Sequence, residues 1–95
     1  MGTDAQLLHF TGAITNAEGG LMHLSVYGPR GYFFSKSYTR SFDEPLELVR
    51  GVYEVSFSST TSGVCVFNIA GPRTRVNPAV PDTFGSALRT YELVL

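Results

Sequence analysis

The sequence predicts an all-β fold, a two-layer antiparallel β-sandwich of about seven strands that is immunoglobulin-like or of a related topology. Three observations predict it. Short runs of alternating apolar and polar residues recur along the chain, turn signals rich in glycine and proline separate them about every ten residues, and helix signals are nearly absent. A small β-barrel is the alternative, because it is built from the same kind of short, regularly spaced strands.

Length and composition indicate one domain that spans residues 1–95. The chain has 95 residues, which is within the size range of a single domain. Hydrophobic residues make up 43% of it and charged residues 16%, which is too apolar a composition for a disordered chain. The single cysteine, Cys65, excludes an internal disulfide, so the core must stabilise the fold by itself.

The first two runs, residues 7–15 and 21–28, predict a β-hairpin. The residues between them fit a three-residue turn that ends in a left-handed glycine. With this turn every large apolar side chain of the two runs falls on one face, whereas a shift by one residue would mix the faces. The predicted pairs are Ile14 with Met22, Gly12 with Leu24, and Phe10 with Val26.

Five further runs complete the predicted sandwich. Glycine, proline and serine-rich turns bound each of them, and the run over residues 53–58 alternates most clearly. An irregular connection with three prolines precedes the last run. The runs span residues 32–42, 46–48, 53–58, 64–69 and 88–95, and the connection spans residues 71–86.

A second hairpin is predicted within this set, where a turn of serine and threonine joins two neighbouring runs. Its register pairs Phe57 with Cys65 and Val55 with Phe67. Residues with even separation on a strand share a face. We therefore expect Tyr53, Phe57 and Phe67 to pack together in the core.

Composition and motifs exclude several classes of function. The net charge of −1 offers no basic surplus for a phosphate backbone, so nucleic acid is not an expected partner. The apolar runs are too short for membrane insertion. The sequence has no motif with the spacing of a serine nucleophile, a phosphate loop or a metal site. We therefore expect no enzyme, no cofactor and no metal.

Three side chains with potential chemistry have ordinary structural explanations. His9 and His23 share the polar face of the predicted first hairpin, where Asp4 or Glu18 could complete a metal site, but the typical ligand spacings are missing. Cys65 has apolar neighbours, which predicts a buried thiol with a raised pKa. We expect surface histidines and an inert thiol.

The sequence favours a non-enzymatic protein-interaction, adaptor or structural domain, which binds a protein partner or a second copy of itself. Val64 and Val66 point to the side of their strand that the core does not need, and such a pair indicates a contact surface. Arg73 and Arg75 lie on a proline-stiffened connection, and loops of this kind are common recognition sites. These four residues are the partner-binding candidates.

A carbohydrate-binding module is the alternative. One aromatic segment places rings and cations at even positions, hence on one strand face, where they can stack on sugars. The ligand-face candidates are Tyr32, Phe34, Lys36, Tyr38 and Arg40. A coplanar, exposed aromatic pair would favour the sugar hypothesis, and a continuous aliphatic patch would favour the interaction domain.

Overall fold

In the part of the chain that the structure describes, nine β-strands form where apolar and polar side chains alternate, because alternate residues of a strand point to opposite sides of its sheet. The computed structural model describes residues 5–15, 20–72 and 75–95. Within these ranges the strands are β1 (Gln6–Thr15), β2 (Gly20–Tyr27), β3 (Phe33–Tyr38), β4 (Phe42–Leu48), β5 (Val52–Thr61), β6 (Val64–Ala70), β7 (Arg75–Asn77), β8 (Asp82–Phe84) and β9 (Ala87–Val94). A short 3₁₀ turn, Pro29–Gly31, lies between β2 and β3. The connection predicted to be irregular thus contains two strands, β7 and β8.

The strands form two separate antiparallel sheets, which confirms the two-layer sandwich. One sheet has the order β4–β1–β6–β8 and the other has the order β3–β2–β5–β9–β7. The described residues form no closed barrel, so the small-barrel alternative is not observed. The immunoglobulin arrangement pairs its first two strands in one sheet. Here β1 and β2 lie in opposite sheets, so the topology is a related one.

The predicted pairing of the first hairpin is wrong. Strand β1 pairs with β4 and β6, so Phe10 lies opposite Glu44 and Ile69, and not opposite Val26. Strand β2 pairs with β3 and β5. The predicted turn residues 17–19 lie outside the described residues. Alternation correctly identifies the inward residues, but the same residues point inward whether two strands pair edge to edge or face each other across a core.

The second predicted hairpin fails for the same reason. Strands β5 and β6 belong to opposite sheets, and Val55 pairs with Val26 and Tyr91 in place of Phe67. The Phe57 and Phe67 rings do stack, with centroids 4.3 Å apart, but they meet across the core. Tyr53 is also buried and contacts Tyr32 edge-on. The predicted core residues are therefore correct and their register is not.

Glycine in the middle of β1 allows the two sheets to approach each other. A side chain at Gly12 would collide with the Phe42 ring and would crowd the sulfur of Met22. Glycine inside a strand often marks such a close approach. Phe42 can therefore lie over β1 and stack on Tyr38 of the opposite sheet, with ring centroids 3.7 Å apart.

Two tyrosine–carboxylate hydrogen bonds join the sheets at the rim of the core. The Tyr38 hydroxyl of β3 donates to Glu44 of β4 at 2.7 Å, and the Tyr91 hydroxyl of β9 donates to Asp82 of β8 at 2.8 Å. Burial raises the pKa of both tyrosines well above the usual range, and the neighbouring carboxylates raise it further. Each bond therefore fixes an edge strand of the four-stranded sheet to the opposite layer.

Candidate functional site

The outward side of the five-stranded sheet, called here the five-stranded outer face, carries most of the exposed large apolar side chains. Among the described residues six such side chains are exposed, and five of them belong to this face. They lie on four neighbouring strands, β3, β2, β5 and β9. The five are Leu21, Tyr27, Phe33, Val52 and Leu88, with exposed fractions from 46% to 67%. The sixth, Leu7, lies on the opposite sheet.

Serine and threonine occupy the middle of the five-stranded outer face around one histidine. The ring nitrogens of His23 lie 2.7 Å from the hydroxyls of Ser35 and Ser37, so a neutral imidazole accepts from one and donates to the other. Ser25 adds a hydroxyl contact with Ser35 at 3.3 Å. Both nitrogens are occupied by hydroxyls and no carboxylate orients the ring. The arrangement therefore joins β2 to β3 and lacks the third member of a catalytic triad.

One end of the five-stranded outer face is acidic and aromatic. Glu54 lies directly between Tyr27 on β2 and Glu92 on β9. Like charges at directly opposed positions destabilise a sheet, and Arg75 relieves part of this by binding Glu92 at 2.8 Å. The Tyr27 ring also contacts Phe33, with centroids 5.1 Å apart and planes tilted by 50°. The exposed aromatic pair is therefore not coplanar.

An open pocket of about 700 Å³ lies at this end, which is within the usual size range of small-molecule sites. The 3₁₀ turn forms one wall of it and the ends of β2, β5, β7 and β9 form the rest. The polar side chains that line it are Glu54, Asn77, Thr90 and Glu92, beside the ring of Tyr27. Such a set can accept hydrogen bonds from hydroxyl or amino groups of a ligand.

The outward side of the four-stranded sheet, called here the four-stranded outer face, contains Val64 and Val66. Both are only partly buried, and their neighbours on β1 are Thr15 and Ala13. The predicted second hairpin would have placed both valines beside β5, which lies in the other sheet, so that part of the prediction is wrong. The two valines therefore belong to a face of small side chains, and whether they contact a partner stays a prediction.

The two histidines lie on opposite outer faces of the sandwich. His9 Nδ1 lies 2.8 Å from Asp43 on the four-stranded outer face, whereas His23 belongs to the five-stranded one. The expectation that they share a face is therefore wrong, because it depended on the incorrect first hairpin. Within the part of the chain that the structure describes, no three histidine, cysteine or acidic residues group as a metal site would require.

The predicted ligand face points toward the core and not to solvent. Tyr32, Phe34 and Tyr38 are partly buried and pack against the core. Lys36 is exposed at the rim, with its amine 3.6 Å from Glu44 and 5.5 Å from the centre of the Tyr38 ring. Arg40 is exposed in the bend between β3 and β4. The structure thus exposes the opposite side of β3, which the sequence reasoning did not select.

Of the two arginines predicted to bind a partner, the structure describes one. Arg73 lies outside the described residues. Arg75 begins β7 and extends over the five-stranded outer face to Glu92. This arginine is therefore part of the acidic end of that face. The five-stranded outer face is difficult to recognise in the sequence, because each strand contributes only one or two of the exposed apolar residues on this face.

Cys65 is fully buried in β6. Burial raises the pKa of its thiol, and the neighbouring Ser59 hydroxyl offsets part of that effect. A thiol that stays protonated and shielded from solvent is a poor nucleophile. The geometry agrees with the structural role that its apolar neighbours predicted.

Comparisons with protein-family models, with curated proteins and with solved structures found no match for this chain. No helix among the described residues is long and apolar enough to cross a membrane.

Proposed function

We propose that this chain is a non-enzymatic interaction domain that self-associates through its five-stranded outer face. The observation that carries the proposal is the concentration of exposed apolar side chains on this one face, five of the six among the described residues. Clusters of this kind mark protein contact surfaces, whereas single exposed apolar residues are ordinary.

Interface size supports this face over the opposite one. A strand residue covers roughly 16 Å² of a sheet, from a rise of about 3.3 Å and a strand spacing of about 4.8 Å. The strand lengths then give roughly 550 Å² for the five-stranded sheet and roughly 430 Å² for the four-stranded one. Two copies packed through their five-stranded outer faces would bury about 1,100 Å² in total, whereas packing through the opposite faces would bury about 860 Å². A stable interface needs about 1,000 Å², which only the five-stranded outer face reaches.

Charge also supports a second copy as the partner. The net charge of the chain is −1, so two copies meet little of the repulsion that keeps highly charged proteins apart. The charged side chains of the face, Glu54, Glu92 and Arg75, lie together at its acidic end. The rest of the face offers hydroxyl groups and apolar side chains, a composition that can be buried with its polar groups hydrogen-bonded.

The non-enzymatic part of the proposal is supported by the geometry around the histidines. His23 contacts serines without an orienting carboxylate, and it stands on an open sheet that does not exclude water. His9 has a carboxylate partner, Asp43, on the other outer face. Neither arrangement combines a nucleophile, a base and an orienting group.

Sedimentation velocity over a wide range of concentrations tests the proposal with a matched pair of variants. Leu88→Lys places a charge on the five-stranded outer face, and Leu7→Lys places one at a similarly exposed position of the opposite sheet. We expect the wild type and Leu7→Lys to reach at least twice the monomer mass as the concentration rises, and Leu88→Lys to have a lower mass than both at every concentration, because it loses the face contact. A wild type that stays monomeric at every concentration, or equal loss in both variants, would contradict the proposal.

A sugar is the second candidate ligand, and the pocket beside Tyr27 favours it. Carboxylates and amides accept and donate hydrogen bonds in the pattern that vicinal hydroxyl groups present, and a ring face can pack against the C–H groups of a pyranose. Calorimetric titration with a panel of mono- and oligosaccharides tests this. Binding should weaken in Tyr27→Ala and Glu54→Gln and persist in Tyr32→Phe, and no heat with any sugar would exclude the panel.

A further inference from the structure

The four edge strands of the sandwich differ in how well they are protected from pairing with another chain. An edge strand exposes unpaired backbone groups, and proteins block such edges with short strands, proline or charge. Strands β7 and β8 have three residues each, and β4 carries Pro45 between acidic residues. Strand β3 has six residues, no proline and one charged side chain. Among the described residues it is the one long edge that has no more than a single lysine as protection.

The single charge on β3, Lys36, has its partners within the chain. Lys36 lies 3.6 Å from Glu44 and over the Tyr38 ring, so it is held back against the rim of its own sandwich. The residues on the outward side of β3 are Phe33, Ser35 and Ser37, which are exposed and uncharged. No described strand pairs with the far side of β3. The edge is therefore open to another strand both sterically and electrostatically.

The sequence of β3 selects one register for pairing with itself. Opposed residues of an antiparallel pair point to the same side of the sheet, so a two-fold axis must pass through one residue. Only axes at Ser35 and Lys36 pair five residues of this six-residue strand, whereas axes nearer its ends pair three or fewer. An axis at Lys36 would place two ammonium groups opposite each other, which is destabilising. An axis at Ser35 places Ser35 opposite its own copy, Phe33 opposite Ser37, and Lys36 opposite the Phe34 ring. This second register opposes no like charges.

The geometry points to β3 as a second self-contact, in which the β3 strands of two copies pair antiparallel about Ser35 and join their five-stranded sheets edge to edge. This inference rests on the proposed self-association, and it adds a contact that the outer face does not use. Because the edge contact and the face contact occupy different surfaces, one molecule can make both. Assemblies larger than a dimer then follow from one chain.

Disulfide trapping tests the register directly. At the proposed axis the two Ser35 Cα atoms lie about 4.5–5.5 Å apart, which a disulfide can span. Ser35→Cys should therefore cross-link under oxidised glutathione at least about tenfold faster than Ser37→Cys, whose copies would lie about 13 Å apart along the strands. Ser37→Cys is the matched control, because both serines contact His23 from the same side of β3. The buried Cys65 does not compete.

The outcomes separate this inference from the proposed function. Selective cross-linking of Ser35→Cys, also in a Leu88→Lys background, supports edge pairing. Equal or faster cross-linking of Ser37→Cys overturns the register. If the wild type associates and Leu88→Lys abolishes association, but Ser35→Cys gives no cross-link, the edge contact is wrong and the face contact stands. If no association and no cross-link occur, both are wrong.

Discussion

The two outer faces of the sandwich expose different chemistry although their strands alternate in the same way. The five-stranded outer face exposes large apolar side chains at both ends, with serine, threonine and His23 between them. The four-stranded outer face exposes one large apolar side chain, Leu7, and otherwise carries small or charged residues. The inward sides of both sheets are mostly apolar, with carboxylates such as Glu44 and Asp82 at the rim of the core. Strand alternation therefore determines the core, and the outward residues distinguish the two faces.

This difference shows why a pattern within one strand is a poor guide to a contact surface. Val64 and Val66 stand out in the sequence because they lie two residues apart on one strand. Leu21 and Leu88 do not stand out, because they are far apart in the chain. The sheet order places both beside β5, opposite Thr60 and Ser58 respectively. Surfaces built from several strands become visible only when the topology is known.

The largest predicted effect concerns the layer beneath the four-stranded outer face. Cys65 is fully buried between the two valines, so a thiol reagent can reach it only after the domain opens. A domain of this size is stable by about 5 kcal/mol or more, so native labelling should be at least about a thousandfold slower than labelling in denaturant. Measurement of the modification rate by mass spectrometry checks this. Rapid native labelling would mean that this sheet is loosely packed.

The next prediction removes a ring contact in the core, between the two sheets. Phe67→Ala removes the ring that stacks on Phe57 between the two sheets, and it should cost about 3–5 kcal/mol of unfolding free energy. Urea unfolding at one protein concentration measures the change. Leu7→Ala, at an exposed position of the same sheet, is the control and should change stability little. A loss below about 1 kcal/mol in Phe67→Ala would contradict the stacked core.

These core positions could be predicted from the sequence, and their partners could not. Phe57 and Phe67 alternate with polar residues, which is sufficient to turn them inward. The short turn between their strands favours pairing as a hairpin, but in the structure this turn connects the two layers. The contacts of the edge strands could not be predicted either. In the sequence, Tyr38 and Glu44 are an aromatic residue near an acid, and only the fold shows that they form a hydrogen bond between the sheets.

A smaller effect is predicted for these bonds between the sheets. Tyr91→Phe removes the hydroxyl that donates to Asp82, which should cost about 1 kcal/mol at neutral pH. The variant should also be less sensitive to alkali. The pKa of Tyr91 is raised in the folded protein, so the unfolded chain loses its proton first, and the stabilisation is complete below about pH 10 and falls as the pH rises above it.

Urea midpoints measured between pH 8 and pH 11 test this linkage. The wild type should lose stability above about pH 10 more steeply than Tyr91→Phe. Tyr27→Phe is the matched control, because Tyr27 is exposed on the five-stranded outer face and forms no bond between the sheets. A Tyr91→Phe variant with the alkaline slope of the wild type would show that Asp82 does not hold the phenol in its protonated form.

The smallest effect on stability, and the most direct test of the comparison, comes from charging each face in turn. The pairs Val64→Lys with Val66→Lys and Leu21→Lys with Leu88→Lys each add two charges to one outer face. Surface substitutions usually change stability by less than about 0.5 kcal/mol, so both variants should remain folded. If the five-stranded outer face is the interface, only the leucine pair should lose this contact and lower the mass in sedimentation. If the valine pair does so while remaining folded, the contact lies on the four-stranded outer face, as the sequence alone suggested. Unfolding of the valine pair would instead mean that these partly buried side chains pack as part of the domain, since a lysine can extend into water from an open surface but not from a packed layer.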